Sequence, residues 1–142
     1  MHRFPIFRFF LIAAIILLLI PPVVFAIVAL SKGMAAGAIP GLIVEQYQAR
    51  RQNLFVCGAI SVAPLLALLV VGWIYARFRG AAQTRHLMMW GGLIPIVLVQ
   101  IRVNFDFWPA FLPSRVYPGF PHGLEFIIGP GVFAPIGMLL GV

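Results

Sequence analysis

The sequence predicts an all-α integral membrane protein, a single transmembrane domain over residues 1–142 with about four transmembrane helices at 9–30, 54–76, 87–103 and 124–142. Three observations predict it. Of the 142 residues 63% are hydrophobic and only 9% charged, which leaves too little polar surface to cover the chain in water. The apolar residues come in long continuous runs, unlike the alternating segments of about ten residues that mark an outer-membrane barrel. Finally, Trp73, Trp90, Trp108, Tyr47, Tyr75 and Tyr117 fall near the predicted ends of those runs, where amphipathic rings are favoured.

The formal net charge of +7 would suggest a nucleic-acid partner in a soluble protein. In this composition, basic residues flank helices, set topology and meet anionic headgroups, so no nucleic-acid partner is expected. A single cysteine, Cys57, lies inside an apolar run. It forms no intrachain disulfide and is too little for a metal site, so it reads as a small buried apolar residue.

Taken in order, residues 1–8 form a basic, aromatic start, and Phe9 to Leu30 follow without a charge. That run exceeds the core of a secretory signal and reads as a retained span, with a kink expected at Pro21-Pro22. The connection 31–53 carries Gly33, Gly37 and Gly41 at intervals of four, which would place three glycines on one helical face for close packing on a partner. Pro40 counts against a straight helix through Gly41, and a flexible turn is the competing reading. The second span, 54–76, bends at Pro64 and is followed by Arg77, Arg79 and Arg85 in a link without an acid.

The third span, 87–103, reads as short and is interrupted by Gly91-Gly92 and Pro95; the fourth, 124–142, by Gly129-Pro130-Gly131 and Pro135. Between them, 104–121 reads as an irregular interfacial loop rich in aromatics and proline. With both termini cytoplasmic, Lys and Arg divide evenly between the two sides. The inside group is denser, lying in two short segments, and this bias selects that orientation in a bacterial inner or intracytoplasmic membrane.

Few residues suggest chemistry. Glu125 is the acid expected to dip below the interface, with His122 three residues earlier on one helical face. The pair would serve proton or ion handling; the blander reading is an acid at the positive end of a helix dipole. Arg102 and Asp106, four apart, read as a structural ion pair. His86 would ligate haem or a chlorophyll magnesium, although no second histidine is expected at its depth. No metal site and no catalytic set is expected.

The expectation is therefore a non-catalytic accessory subunit of a larger membrane complex, respiratory or photosynthetic, that stabilises assembly through helix packing. Its partners would be other integral membrane subunits and lipids. Its contact surface would comprise Gly33, Gly37, Gly41, Phe105, Phe107, Trp108, Phe111 and Tyr117. No intrinsic cofactor is expected, with lipid, quinone or pigment held at subunit interfaces. The alternatives are a small homo-oligomeric transporter or channel with Glu125 in its pathway, and a haem- or chlorophyll-ligating subunit using His86 or His122.

Overall fold

A computed structural model describes residues 6–48, 53–79, 82–112 and 125–140. Among them no strand occurs, and five α-helices follow one another: α1 (Ile6–Ser31), α2 (Ile39–Tyr47), α3 (Asn53–Arg79), α4 (Ala82–Phe107) and α5 (Glu125–Leu140). Short 3-10 turns at Ala36–Ala38 and Trp108–Phe111 lead into α2 and extend α4. Three helices, α1, α3 and α4, are long and apolar enough to cross a membrane. The 16 residues of α5 span about 24 Å at the α-helical rise.

α1 runs on through Pro21 and Pro22. Its end is set by Gly33, whose φ of 79° is open to glycine without steric cost. There the Gly33 N–H donates to the Leu30 carbonyl (2.9 Å) and the Met34 N–H to the Ala29 carbonyl (3.1 Å). These two bonds make a Schellman cap, which satisfies carbonyls that the helix end would otherwise orphan. Pro40 then falls in the first turn of α2, where its missing N–H costs nothing, so it starts the helix instead of breaking it. The short helix, and not the flexible turn, occupies this stretch. The three glycines do not share a face: Gly33 is in the cap, Gly37 in a 3-10 turn and Gly41 in α2.

α4 corrects the expected third span in both directions. It is one helix of 26 residues that runs through Gly91-Gly92 and Pro95 and continues past Arg102 to Phe107. Residues 104–111 are therefore helical and 3-10, not an irregular loop, because the first proline of the segment, Pro109, lies in the first turn of the 3-10 stretch. The rest of the expected loop, 113–121, lies outside the described residues.

The helices form an up-down-up-down arrangement. Phe9 meets Trp90 and Phe25 meets Trp108, both edge to face at 5.2 Å, so α1 and α4 run parallel. α3 runs opposite to α4, with Gly72 beside Met89, Gly92 beside Leu68 and Ser61 bonded to Gln100. α5 lies antiparallel along α4, with Gly137 at Gly91 and Pro95 and Gly129 at Val99, and it also touches α3. The outside is apolar, with Leu19, Val23, Val70, Leu98, Phe133 and Leu139 all exposed. The inside holds polar side chains, Gln46, Ser61, Gln100 and Asn104, each at most 1% exposed. An apolar exterior around a partly polar interior is the arrangement a lipid environment favours.

Candidate functional site

The polar interior is organised by one face of α4. Met89, Leu93, Ile96, Gln100 and Asn104 are buried at intervals of three and four, and Trp108 continues the face just beyond the helix. Its first half is apolar and its second half is a hydrogen-bonded ladder. The Trp108 indole N–H donates to Asn104 Oδ1 (2.9 Å), and Asn104 Nδ2 donates to the Gln100 backbone carbonyl (2.7 Å). The Ser61 hydroxyl on α3 lies 2.7 Å from the Cys57 carbonyl and 3.1 Å from Gln100 Oε1. One hydroxyl has one proton. The hydroxyl shares it between the Cys57 carbonyl and Gln100 Oε1, the shorter contact to Cys57 being the stronger.

A second polar pair closes the end of the bundle beside α2. Asn53, the first residue of α3, donates through Nδ2 to Gln46 Oε1 on α2 at 2.8 Å. All these side chains are neutral, and their bonds are made inside the chain. The ladder fixes the rotation of α4 against α3 and joins its end to Phe25 of α1. Interhelical polar bonds of this kind are worth about 1 kcal/mol each in a membrane bundle.

A neighbouring face of α4 meets α5 through glycine. A Cβ on Gly137 would collide with the Gly91 carbonyl oxygen and lie 2.5 Å from Pro95 Cγ. Pro95 has no N–H to offer Gly91, four residues earlier, so this carbonyl lacks its usual helical donor. The bare Gly137 backbone lies against it, an approach that permits weak Cα–H···O contact. Gly92 is equally confined, with Leu68 Cδ1 and Met138 Cγ each 2.5 Å from where a Cβ would stand, and a Cβ on Gly129 would lie 2.5 Å from Val99 Cγ1. By contrast, Gly33, Gly37 and Gly41 have nothing within 4 Å of a Cβ. The glycines that let helices approach in this chain are on α3, α4 and α5.

The expected contact aromatics separate. Trp108 is 0% exposed, enclosed by Phe25, Phe107 and Phe111, so it belongs to the chain's own core. Phe107 and Phe111 are half-buried and pack on that core, and Phe105 faces outward. Tyr117 and His122 lie outside the described residues; Glu125 opens α5. The ion pair forms as expected, with Arg102 Nε 3.2 Å from Asp106 Oδ2, both well exposed. His86 is on the surface near the start of α4, and its Nε2 accepts the Trp90 indole hydrogen at 3.0 Å. Among the described residues no group of three or more His, Cys, Asp or Glu is placed to hold a metal ion.

Compared with family models, with curated proteins and with solved structures, the chain matches none.

The spacing 100, 104, 108 was the signal for the ladder. The prolines and aromatics that make 104–121 read as a loop hide it, since a period of four carries no meaning outside a helix.

Proposed function

We propose that this chain is a non-catalytic accessory subunit of a larger multi-subunit membrane complex, contributing helix-packing surface. The observation that carries the reading is the chemistry of the interior. The buried polar groups of the described helices, Gln46, Ser61, Gln100 and Asn104, are neutral and spend hydrogen bonds on other neutral side chains of the chain and on its backbone. Such an interior positions helices. What the chain offers a partner is outside: the open glycines Gly37 and Gly41, the exposed Val44 and Tyr47 of α2, and Phe105.

On this reading α5 is a fourth crossing, both termini are cytoplasmic, and the membrane is a bacterial inner or intracytoplasmic one. A respiratory or photosynthetic complex is the host of choice, because small hydrophobic chains with few charges are ordinary components of such assemblies. Lipid, quinone or pigment would be held between subunits. Pigment ligation by His86 Nε2 would require its bond from Trp90 to break. A homo-oligomeric transporter using Glu125 is the reading that a small particle would promote.

The test is a native gel of gently solubilised source membranes, with the chain located by mass spectrometry. Migration in a band far larger than any small homo-oligomer is expected, and the co-migrating proteins name the host. Migration alone, or as a small multiple of its own mass, overturns the reading.

A further inference from the structure

The fold gathers charge at one end of the bundle. The Phe9–Trp90 contact and the approach of Gly72 to Met89 bring the start of α1, the end of α3 and the start of α4 together. Arg8 lies in the first turn of α1, Arg77 and Arg79 in the last turn of α3, and Arg85 in the first turn of α4. None of the three acids of the sequence is at this end: Glu45 is in α2, Asp106 in the last turn of α4, and Glu125 opens α5 at the other end. The exposed Arg8 and Arg77 therefore take their counter-charge from outside the described helices.

The surroundings say where that charge lies. The Arg77 guanidinium carbon sits 5.7 Å over the ring of Trp73, which is 59% exposed. Trp90 is also exposed and reaches Phe9, so Arg8 is level with a tryptophan ring and flanked by the outward-facing Phe7 and Leu11. A guanidinium beside interfacial tryptophans and lipid-facing apolar side chains is placed to extend its stem along the helix and bring its head to the headgroup phosphates. A soluble acidic partner would have to enter the aromatic layer to reach Arg8, whereas in a bilayer the headgroups of phospholipids lie at the level of that layer.

We propose that this arginine end binds the headgroups of anionic phospholipids, through charge-assisted hydrogen bonds from Arg8 and Arg77 to the phosphate. This rests on the membrane-spanning character of α1, α3 and α4 and is independent of the subunit reading.

The full chain is reconstituted in vesicles of equimolar phosphatidylglycerol and phosphatidylcholine, extracted in mild detergent, and the retained lipids are counted by mass spectrometry. Phosphatidylglycerol should be enriched at least about threefold. The enrichment should fall to near parity in the Arg8→Gln/Arg77→Gln variant and at about 0.5 M salt. It should persist in Arg8→Lys/Arg77→Lys and in Lys32→Gln, which alters the far end of α1. Parity in the unaltered chain overturns the proposal, as does undiminished enrichment in the glutamine variant. Loss of enrichment on adding inorganic phosphate alone, at matched ionic strength, would mean a free-phosphate site and also overturns it. The salt series on the unaltered chain keeps the test decisive if the glutamine variant does not fold.

Discussion

The face of α4 that meets α5 and the face that meets α1 and α3 hold their helices by different means. Against α5 the contacts are made through glycines: Gly137 meets Gly91 and the Pro95 ring, Gly129 meets Val99, and Gly92 meets Met138. Backbones approach closely there, and dispersion over the contact supplies the attraction. Against α1 and α3 the face carries large residues, ending in Gln100, Asn104 and Trp108, which hydrogen-bond up the helix and across to Ser61. The first seam depends on the absence of atoms and the second on their polarity. They should therefore fail differently: the glycine seam when anything is added, the polar seam when one partner of a bond is removed.

The largest effect is expected at Gly137. Gly137→Leu puts a side chain where the Gly91 carbonyl and Pro95 stand, and neither is the flexible end of a side chain. It should cost about 3 kcal/mol or more and release α5 from α4, read as accelerated hydrogen exchange of α5 amides with those of α1 and α3 unchanged. Gly92→Ala is a milder test of the same seam. Its new methyl meets Leu68 Cδ1 and the Met138 side chain, which can shift, so a loss of about 1–2 kcal/mol in thermal stability in detergent is expected.

On the polar seam, Trp108→Phe keeps an aromatic ring against Phe25 but removes the donor to Asn104 Oδ1. A loss of about 1 kcal/mol follows, and adding Asn104→Leu should cost less than the two single changes summed, because a buried acceptor is no longer left without its donor. Strict additivity would mean that the two residues do not act as a pair. The smallest effect carries the opposite sign. Gly41 is in α2 with open space around its Cα, so Gly41→Ala should stabilise the chain by about 0.5 kcal/mol, seen as a small rise in melting temperature.

Much of the fold was legible because long apolar runs have one reading in a chain with so few charges. Expected spans at 9–30 and 54–76 became helices at Ile6–Ser31 and Asn53–Arg79. The boundary expected at 103 differs, because the prolines and aromatics of 104–121 read as a loop, whereas the helix continues to Phe107. α4 continues beyond Arg102 because its i,i+4 partner Asp106 neutralises it along the surface, while Asn104 and Trp108 turn inward. The glycine pattern failed for a different reason. Gly33, Gly37 and Gly41 are regular in sequence, but a cap and a 3-10 turn remove them from a common helix. The glycines that pack tightly among the described residues, Gly72, Gly92, Gly129 and Gly137, show no such regularity, because each answers to a residue on another helix. Local sequence does not contain that information. Of the candidate site, the Arg102–Asp106 pair could be read from spacing, whereas the ladder required knowing that its residues were helical.

Both seams use the interior for holding helices together, which is the basis for regarding the chain as a packing component of a larger assembly. The most direct test is to remove the chain from its source, once the native gel has named the host, and measure two quantities: the amount of assembled complex and the turnover of each complex that does assemble. The account predicts a marked fall in assembled complex with turnover per complex unchanged. Full assembly with turnover lost would contradict it and would place chemistry in this chain.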